Sequence, residues 1–320
     1  MNSIRRLTLL AASLCAAALT TPAQAEDTKV AVAISGWTGF APLTLANEAG
    51  LFKKNGLDVT IKKIPQKDRH LAIASGDVQC AATTVETWVV WNANGVATTQ
   101  IFQLDKSYGA DGMVVKPGIA KITDLKGKTV AASAPGTSPY FGLAWMLKKN
   151  GMSVKDVKVV TLEPQPAANA IIAGTADLDA AMTYEPYLSA VRAKPEAGKI
   201  IATTLDYPMV MDTFGCTPKF LKENPKAAKA LADGYFAALD MIKADPKKSF
   251  EIMGADVKQS GEAFEKSAAY LRWQDRAANE KFFAGEHAQF SKEAADLLLE
   301  IGIIKQLPDM KALADTSYIK

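Results

Sequence analysis

The feature of this chain that most constrains its fold is an internal repeat. The first copy begins with the sequence VAVAISG at residues 30–36, and the second begins with VAASAPG at residues 130–136. Each copy then contains a KKNG segment, at 53–56 and at 148–151. Because self-similarity at a fixed spacing marks a repeated structural unit, we expect two related lobes.

Within each copy, apolar and β-branched runs alternate with helical segments. The runs cover residues 30–34 and 59–64 in the first copy, and 130–132 and 157–162 in the second. This alternation predicts an α/β fold in which helices cover both faces of a parallel sheet. The KKNG segments are typical helix ends, because the lysines complement the helix dipole and the glycine adopts the left-handed cap.

The position of the two copies predicts how the chain divides. With 320 residues, the chain is too long for one small core. We expect residues 26–116 to form the first part of lobe one, residues 117–208 to form lobe two, and residues 209–320 to complete lobe one with C-terminal helices. Since no Pro-rich linker separates the halves, short crossings are expected near 112–117 and 208–216.

Residues 1–25 are predicted to be a cleaved secretory signal. Arg5 and Arg6 precede an apolar run at 7–19, and AQA at 23–25 supplies small residues for cleavage. The run is too short to cross ~30 Å of hydrocarbon, so we expect export to the periplasm and no membrane insertion.

The few cysteines and histidines limit metal and redox chemistry. Lipid attachment at Cys15 is disfavoured because Leu14 precedes it. Cys80 and Cys216 could form one bridge if they met in an oxidising compartment, but their neighbours suggest a buried thiol at each. With two histidines and no close Cys/His cluster, we predict no metal and no cofactor.

The net charge of +3 gives no reason to expect nucleic-acid binding.

Two turns are candidates for contact with a small molecule, because ligands bind at the carboxyl ends of strands in open α/β sheets. The turn after the first strand carries Trp37 and Thr38, and the equivalent turn of the second copy carries Gly136 and Thr137. Backbone N–H groups at such turns can face a ligand, and the indole offers a flat wall. The alternative is that Trp37 only covers the sheet edge.

Acidic side chains recur at the same edge of each lobe. Thr83 and Glu86 end the first copy, and Tyr184 and Glu185 end the second. A glutamate in the first turn of a helix often only complements the dipole, for ~0.3–1 kcal/mol. The equally weighted alternative is that it binds the amino or N–H group of a ligand. At the return crossing, Asp212 either pairs with a cation or holds the hinge.

Basic residues are missing from five segments predicted to line the cleft edge. Phosphate and dicarboxylate sites usually contain arginine, so an amine-bearing, zwitterionic or neutral solute is favoured. Asp111, beside the first crossing, is interpreted as structural. The five segments are 35–40, 83–87, 134–140, 183–187 and 211–214.

Five motifs occur in a specific order along the chain. They are EAGLF at 48–52, ASGDVQ at 74–79, DLKGKTV at 124–130, AGTADLD at 173–179 and YEP at 184–186. With them the chain resembles the periplasmic substrate-binding proteins of ATP-driven importers for nitrate, aliphatic sulfonates, taurine and thiamine-pyrimidine precursors.

This resemblance implies a two-lobed periplasmic-binding-protein fold of type II, a hinge that closes on the solute, and a monomer. The implied partner is a membrane permease with its ATPase. Glu86 stands where sulfonate-binding members tend to carry small or hydroxyl residues, which disfavours a simple anion. The positions that line the family's pocket correspond to Trp37, Thr38, Thr83, Thr137, Tyr184 and Asp212.

We therefore expect a transport receptor and not an enzyme. It would capture a taurine-like or nitrogen-rich organic solute without chemistry. One alternative is a receptor for nitrate or aliphatic sulfonate anions. A second is an enzyme related to thiamine-pyrimidine synthesis, which would need a base, a lysine or a metal cluster in the cleft. A third is a sensory domain that binds the same solute.

Overall fold

The computed structural model describes residues 26–320. The predicted signal peptide and Cys15 lie outside these residues. The described chain forms eleven strands: β1 (Thr28–Ile34), β2 (Leu57–Lys63), β3 (Cys80–Thr84), β4 (Thr99–Ser107), β5 (Asp111–Val115), β6 (Thr129–Ala132), β7 (Lys158–Thr161), β8 (Ala180–Tyr184), β9 (Lys199–Thr203), β10 (Met211–Cys216) and β11 (Leu271–Trp273).

Thirteen α-helices surround the strands. They are α1 (Ala41–Glu48), α2 (Leu51–Lys54), α3 (Gln66–Ser75), α4 (Val85–Ala93), α5 (Ser138–Lys149), α6 (Pro164–Ile172), α7 (Tyr187–Arg192), α8 (Pro218–Glu223), α9 (Pro225–Ala244), α10 (Pro246–Asp256), α11 (Gly261–Ala268), α12 (Arg276–Lys281) and α13 (His287–Glu300). None of the helices within residues 26–320 is long and apolar enough to span a membrane.

The strands form two sheets, one in each lobe. The first has the order β11-β4-β10-β3-β1-β2 and the second the order β7-β6-β8-β5-β9. The repeated units give parallel pairs, β1 with β2 and β3 and β6 with β7 and β8. The strands next to the crossings pair antiparallel, so both sheets are mixed and not purely parallel as predicted.

The strand pairing of β5 places the first crossing between the lobes earlier in the chain than predicted. β5, at Asp111–Val115, pairs with β8 and β9 in the second sheet, whereas the sequence placed these residues in lobe one. We therefore propose crossings at 108–110 and 204–210. The two crossings are tied together, since the Thr204 hydroxyl accepts from the Gly109 N–H at 2.8 Å and lies 2.7 Å from the Ser107 hydroxyl.

The C-terminal helices were expected to pack on lobe one. α9 does so, and the Tyr235 hydroxyl on it donates to the Leu104 carbonyl. α13 packs against both lobes, because Phe290 lies 5.9 Å from Trp145 and 6.3 Å from Phe141, measured between ring centroids. Both aromatic partners belong to α5 of the second lobe, so the tail also joins the lobes.

Cys80 and Cys216 form a disulfide. They are direct partners in the antiparallel pair of β3 and β10. The expectation of two buried thiols is therefore wrong. The residues are 136 positions apart in the sequence, and the strand pairing that brings them together was not visible there.

Candidate functional site

A small cavity lies between the two sheets, at the carboxyl ends of the repeated strands. It encloses about 280 Å³, including the part open to solvent. Its lining residues come from both lobes and both crossings: Ser35, Trp37, Phe40, Gln66, Arg69, Thr84, Asp111, Ser138, Tyr184, Val210 and Asp212.

Trp37 and Tyr184 form an aromatic wall that both lobes share. Their ring centroids are 5.4 Å apart in an edge-to-face arrangement. The Trp37 indole N–H donates to Asp105, at 3.2 Å and 3.4 Å from the two carboxylate oxygens. The predicted wall is present, but the indole N–H is held by Asp105. Thr38 is buried next to this wall, and it is not among the cavity-lining residues.

Asp105 and Asp212 form a buried carboxyl pair beside the cavity, which Asp212 lines. They are direct partners across β4 and β10. Burial raises the pKa of each well above its usual range, and repulsion from Asp111 raises it further. Two carboxyls placed this close hold a proton between them more readily than two negative charges.

Two more acids surround the same cavity, each with one unpaired oxygen. Burial raises the pKa of Asp111 to about 7 and that of Glu86 to about 8. The Thr84 hydroxyl, which lines the cavity, donates to one oxygen of Glu86. Within residues 26–320, Glu86 Oε2 and Asp111 Oδ2 have no hydrogen-bond partner. Asp111, interpreted as structural from the sequence, therefore lines the cavity, and Glu86 lies just behind Thr84.

Arg69 is the basic residue that the sequence analysis missed. It enters from α3, outside the five segments inspected there, and it is 1% exposed. Its Nε donates to the Ile64 carbonyl at 2.9 Å, and Nη1 donates to the Ala82 carbonyl. Burial lowers the pKa of Arg69 to about 10, so it remains charged at neutral pH. A cation near the start of a helix interacts unfavourably with the helix dipole. The position of Arg69 close to the start of α3 was therefore the feature of the sequence that could have indicated a functional role.

Gln66 is a second missed residue, and it connects the lobes. Its Nε2 donates to the hydroxyls of Thr83 and Thr87 at 2.9 Å. Its Oε1 accepts from the Ser138 N–H of α5 at 3.2 Å. The Thr83 hydroxyl is thus hydrogen-bonded to Gln66, and Thr83 does not line the cavity.

The second predicted turn reaches the cavity at Ser138, whereas Gly136 and Thr137 contact other parts of the protein. Gly136 has φ +87°, and a Cβ added there would lie 3.2 Å from Val90 of α4. The Thr137 hydroxyl donates to the Ala134 carbonyl at 2.7 Å. The turn therefore contributes Ser138 to the lining, and not Gly136 or Thr137.

Glu185 is held by partners outside the cavity. Arg192 forms an ion pair with one oxygen, and the Ser189 N–H donates to the other at 3.1 Å. The Arg192 Nη2 also donates to the Gly109 carbonyl in the first crossing, at 2.9 Å. The paired glutamates of the repeat are thus not equivalent, because Glu86 lies beside the cavity and Glu185 anchors α7 to the crossing.

The acids do not form a recognisable metal centre. In the part of the chain that the structure describes, no group of three or more His, Cys, Asp or Glu side chains is placed to hold a metal ion. The chemistry that the arrangement offers is hydrogen-bond acceptance and negative charge, next to one fixed guanidinium.

Residues 37–249 match the sequence profile of a family described as "NMT1/THI5 like". The chain belongs to the NMT1/THI5-like family. This match covers more than half of the sequence, and it confirms the family resemblance that the five motifs indicated.

Among relatives of this NMT1/THI5-like chain, the taurine-binding periplasmic protein of Escherichia coli (strain K12) is 29% identical over 231 residues, which are 70% of this chain and 69% of the relative. The alkanesulfonate-binding protein of Xanthomonas axonopodis pv. citri, solved with MOPS bound, superposes with a TM-score of 0.78 at 16% identity, over 92% of this chain and all of the other. The two-lobed periplasmic-binding-protein fold is thereby confirmed.

The same fold also carries an enzyme. The desulfurization enzyme DszB superposes on this NMT1/THI5-like chain with a TM-score of 0.65 at 13% identity, over 91% of this chain and 97% of the enzyme. Fold likeness alone therefore does not decide between binding and catalysis, and the residues of the cavity must be weighed.

Proposed function

We propose that this protein is the periplasmic solute-binding component of an ATP-driven importer, and that its solute is a small organic molecule with a protonated amine or similar N–H group. The observation that carries the proposal is the charge of the cavity. The buried carboxyls of Asp111 and Asp212 line the cavity together with one buried guanidinium, that of Arg69. Two further buried carboxyls lie behind the lining, Glu86 bonded to Thr84 and Asp105 bonded to Trp37.

A cation is the partner that this arrangement lacks. Burying a carboxylate without a partner is unfavourable, which is why the pKa values of these acids are raised. An ammonium group in the cavity would favour the ionised forms and could donate to the unpaired oxygen of Asp111. A simple anion would not supply the positive charge that favours the ionised carboxyls.

Arg69 extends the proposal from a bare amine to a zwitterion. Its guanidinium is fixed by two carbonyls and lines the cavity together with Asp111 and Asp212. A sulfonate or carboxylate beside Arg69 would pair with the guanidinium, and an amine beside Asp111 and Asp212 would pair with the carboxyls. The name of the taurine-binding relative is consistent with such an amino-sulfonate.

Capture requires closure of the lobes and no covalent chemistry. The Gln66 contact with Ser138 and the Trp37 contact with Tyr184 each join the two lobes over the cavity. A solute that touches both lobes shifts the population toward this closed form. We propose that the closed form is what a permease with its ATPase recognises, and that the protein acts as a monomer.

Two alternatives rest on particular observations. Asp111, with a pKa near neutrality, is suited to act as a general base, and DszB shows that an enzyme can use this fold. Arg69 could instead pair with the anion of an alkanesulfonate, the ligand class in the name of the Xanthomonas protein. Incubation of the purified protein with each candidate solute, followed by mass spectrometry for turnover, tests the enzymatic alternative.

Three probes that differ by single groups test the proposed ligand class: taurine, ethanesulfonate and ethylamine. Isothermal titration calorimetry in phosphate buffer avoids competing amines and sulfonates. We expect the two amine-bearing probes to bind, and Asp212→Asn to weaken both by more than tenfold. Glu262→Gln, on an exposed side chain, serves as the matched control and should change nothing. Tighter binding of ethanesulfonate than of taurine would contradict the proposed class.

A further inference from the structure

The turn formed by residues 37–40 is packed against a carboxyl group with no room for a side chain at Gly39. A Cβ added to Gly39 would lie 2.2 Å from both the Asp105 Oδ2 and the Trp37 Nε1. Gly39 does not have a positive φ, so the backbone itself would accept another residue. Glycine is therefore required here because the indole and the carboxyl group both approach the backbone closely.

A residue from the C-terminal part of the chain holds the same turn. The Trp273 indole N–H, on β11, donates to the Gly39 carbonyl at 3.1 Å across 234 positions of the sequence. The Trp273 ring stacks on Phe264 of α11, with an angle of 12° between the ring planes. In the sheet, Trp273 is the direct partner of Asp105. Asp105 and Trp273 are thus neighbours, and each forms a hydrogen bond with the turn.

These contacts fix side chains that line the cavity, although the residues that make them are not part of its lining. Trp37 and Phe40, at the two ends of the turn, line the cavity, whereas Gly39, Asp105 and Trp273 do not. The Phe40 N–H donates to the Trp37 carbonyl at 3.1 Å, so the two lining residues are also joined to each other. The orientation of the aromatic wall therefore depends on residues behind it.

We propose that Asp105 and Trp273 are positioning residues for the solute site. This inference rests on the proposed function, in which the solute binds beside the wall of Trp37 and Tyr184. Asp105 fixes the Trp37 ring through the indole N–H, and Trp273 fixes the backbone of the turn through the Gly39 carbonyl. A wall that is held in place before the solute arrives loses less conformational entropy on binding, which increases the affinity.

Gly39→Ala and Trp273→Phe test the two contacts by calorimetry with taurine and ethylamine in phosphate buffer. The methyl group of Gly39→Ala must displace the indole or the carboxyl group, so we expect both probes to bind at least about tenfold more weakly. Trp273→Phe keeps an aromatic ring beside Phe264 and removes the donor, so we expect a loss of about two- to tenfold. Because neither substitution changes a charge, the two probes should keep their order of affinity.

Two substitutions of the same kind serve as matched controls. Gly285→Ala adds a methyl group that would meet no neighbouring residue within 4 Å. Trp91→Phe changes another buried tryptophan of lobe one, which is not part of the cavity lining. Neither should change the affinity for taurine or ethylamine. Thermal melting of each variant separates weaker binding from misfolding.

The indole N–H resonance of Trp37 reports its hydrogen bond directly. Protein labelled with ¹⁵N in its tryptophans should give five indole resonances, one for each tryptophan, and Trp37→Phe identifies that of Trp37. We expect Gly39→Ala and Asp105→Ala to shift this resonance in the solute-free protein. Asp105→Asn keeps an acceptor oxygen for the indole, so it should retain the resonance position and bind both probes more tightly than Asp105→Ala.

Affinity and resonance position together decide the inference. If the amine probes bind but Gly39→Ala and Trp273→Phe retain full affinity, the positioning role is wrong and the proposed function stands. The same conclusion follows if the Trp37 resonance does not move in Gly39→Ala or Asp105→Ala. If neither taurine nor ethylamine binds to the unsubstituted protein, the proposed function fails, and this inference fails with it.

Discussion

Gln66 and Ser138 are joined across the two lobes by a hydrogen bond from the Ser138 N–H to the Gln66 Oε1, at 3.2 Å. The amide nitrogen of the same glutamine is bonded to hydroxyls of β3 and α4. Gln66 is thus fixed in lobe one while it contacts the start of a helix in lobe two. The hydrogen bond therefore joins the lobes in the closed form that the structure shows.

Replacement of this glutamine should therefore reduce the closed population. We expect Gln66→Ala to weaken solute binding by about two- to tenfold, the effect of one hydrogen bond of ~0.5–1.5 kcal/mol. Calorimetry gives the affinity, and small-angle X-ray scattering with saturating solute gives the degree of closure. Gln289→Ala, on the exposed face of α13, is the matched control. Equal affinity and equal closure in Gln66→Ala would show that the contact has no role in capture.

The stability of the solute-free protein should fall as the pH rises. The pKa values of Asp111 and Glu86 are raised by burial to about 7 and about 8, from 3.8 and 4.5. Because the folded protein prefers their protonated forms, their stabilising contribution is complete below pH ~4 and is lost as the pH passes the raised values. Thermal melting between pH 4.5 and 8.5 should show this decline, and Glu86→Gln should flatten it. A melting temperature that rises over this range would contradict the proposed burial of neutral acids.

Binding of a cationic solute should depend on pH in the opposite direction. An ammonium group pairs with ionised carboxyls, so its affinity should increase from pH 5.5 to pH 8 while the amine stays protonated. Protons should be released on binding at pH 7. Titrations in buffers with different ionisation enthalpies measure that release, and proton uptake would exclude the proposed role of the acids.

Loss of Arg192, the ion-pair partner of Glu185, should lower the stability of the fold more than the affinity for the solute. Arg192→Ala leaves a carboxylate buried without its ion pair and removes the bond to the Gly109 carbonyl. Breaking a buried pair in this way costs about 3–5 kcal/mol. Urea unfolding should show this loss, and calorimetry at low temperature should show nearly unchanged affinity. A tenfold loss of affinity in Glu185→Gln at unchanged stability would instead restore Glu185 to the binding site.

The disulfide should contribute to stability and not to binding. Cys80 and Cys216 connect β3 to β10 across a separation of 136 residues, at the other end of this strand pair from Thr84 and Asp212. A bridge of this kind typically contributes about 2–4 kcal/mol. The double variant Cys80→Ala, Cys216→Ala should unfold at lower urea concentration and bind the same solutes. A free-thiol assay on the unfolded, unreduced protein checks that the bridge is present.

The repeat made much of the fold predictable. It identified the parallel strands β1, β2, β6 and β7, because those strands are local in sequence and strongly patterned. The antiparallel strands were missed because their partners are distant: Asp212 pairs with Thr84 and with Asp105. The disulfide depended on the same pairing.

The site was only partly predictable, for a related reason. Trp37, Tyr184 and Asp212 follow or begin strands at the cleft edge, and sheet topology places such residues in the cavity. Arg69 reaches the cavity from a helix, which strand position does not reveal. Asp105 was not considered, since it lies at the end of a strand whose partner was unknown. The ion pair of Glu185 was not predicted, because its partner, Arg192, is one of several cations nearby in the sequence.

The central claim is that the closed cleft holds a solute with a protonated nitrogen among buried carboxyls. The measurement that tests it most directly is accurate-mass spectrometry of the solute retained when the protein is purified gently from its native host. We predict a small organic molecule that contains a basic nitrogen and is released when the protein is unfolded. Recovery of nitrate, or of a sulfonate or carboxylate without nitrogen, would contradict the claim.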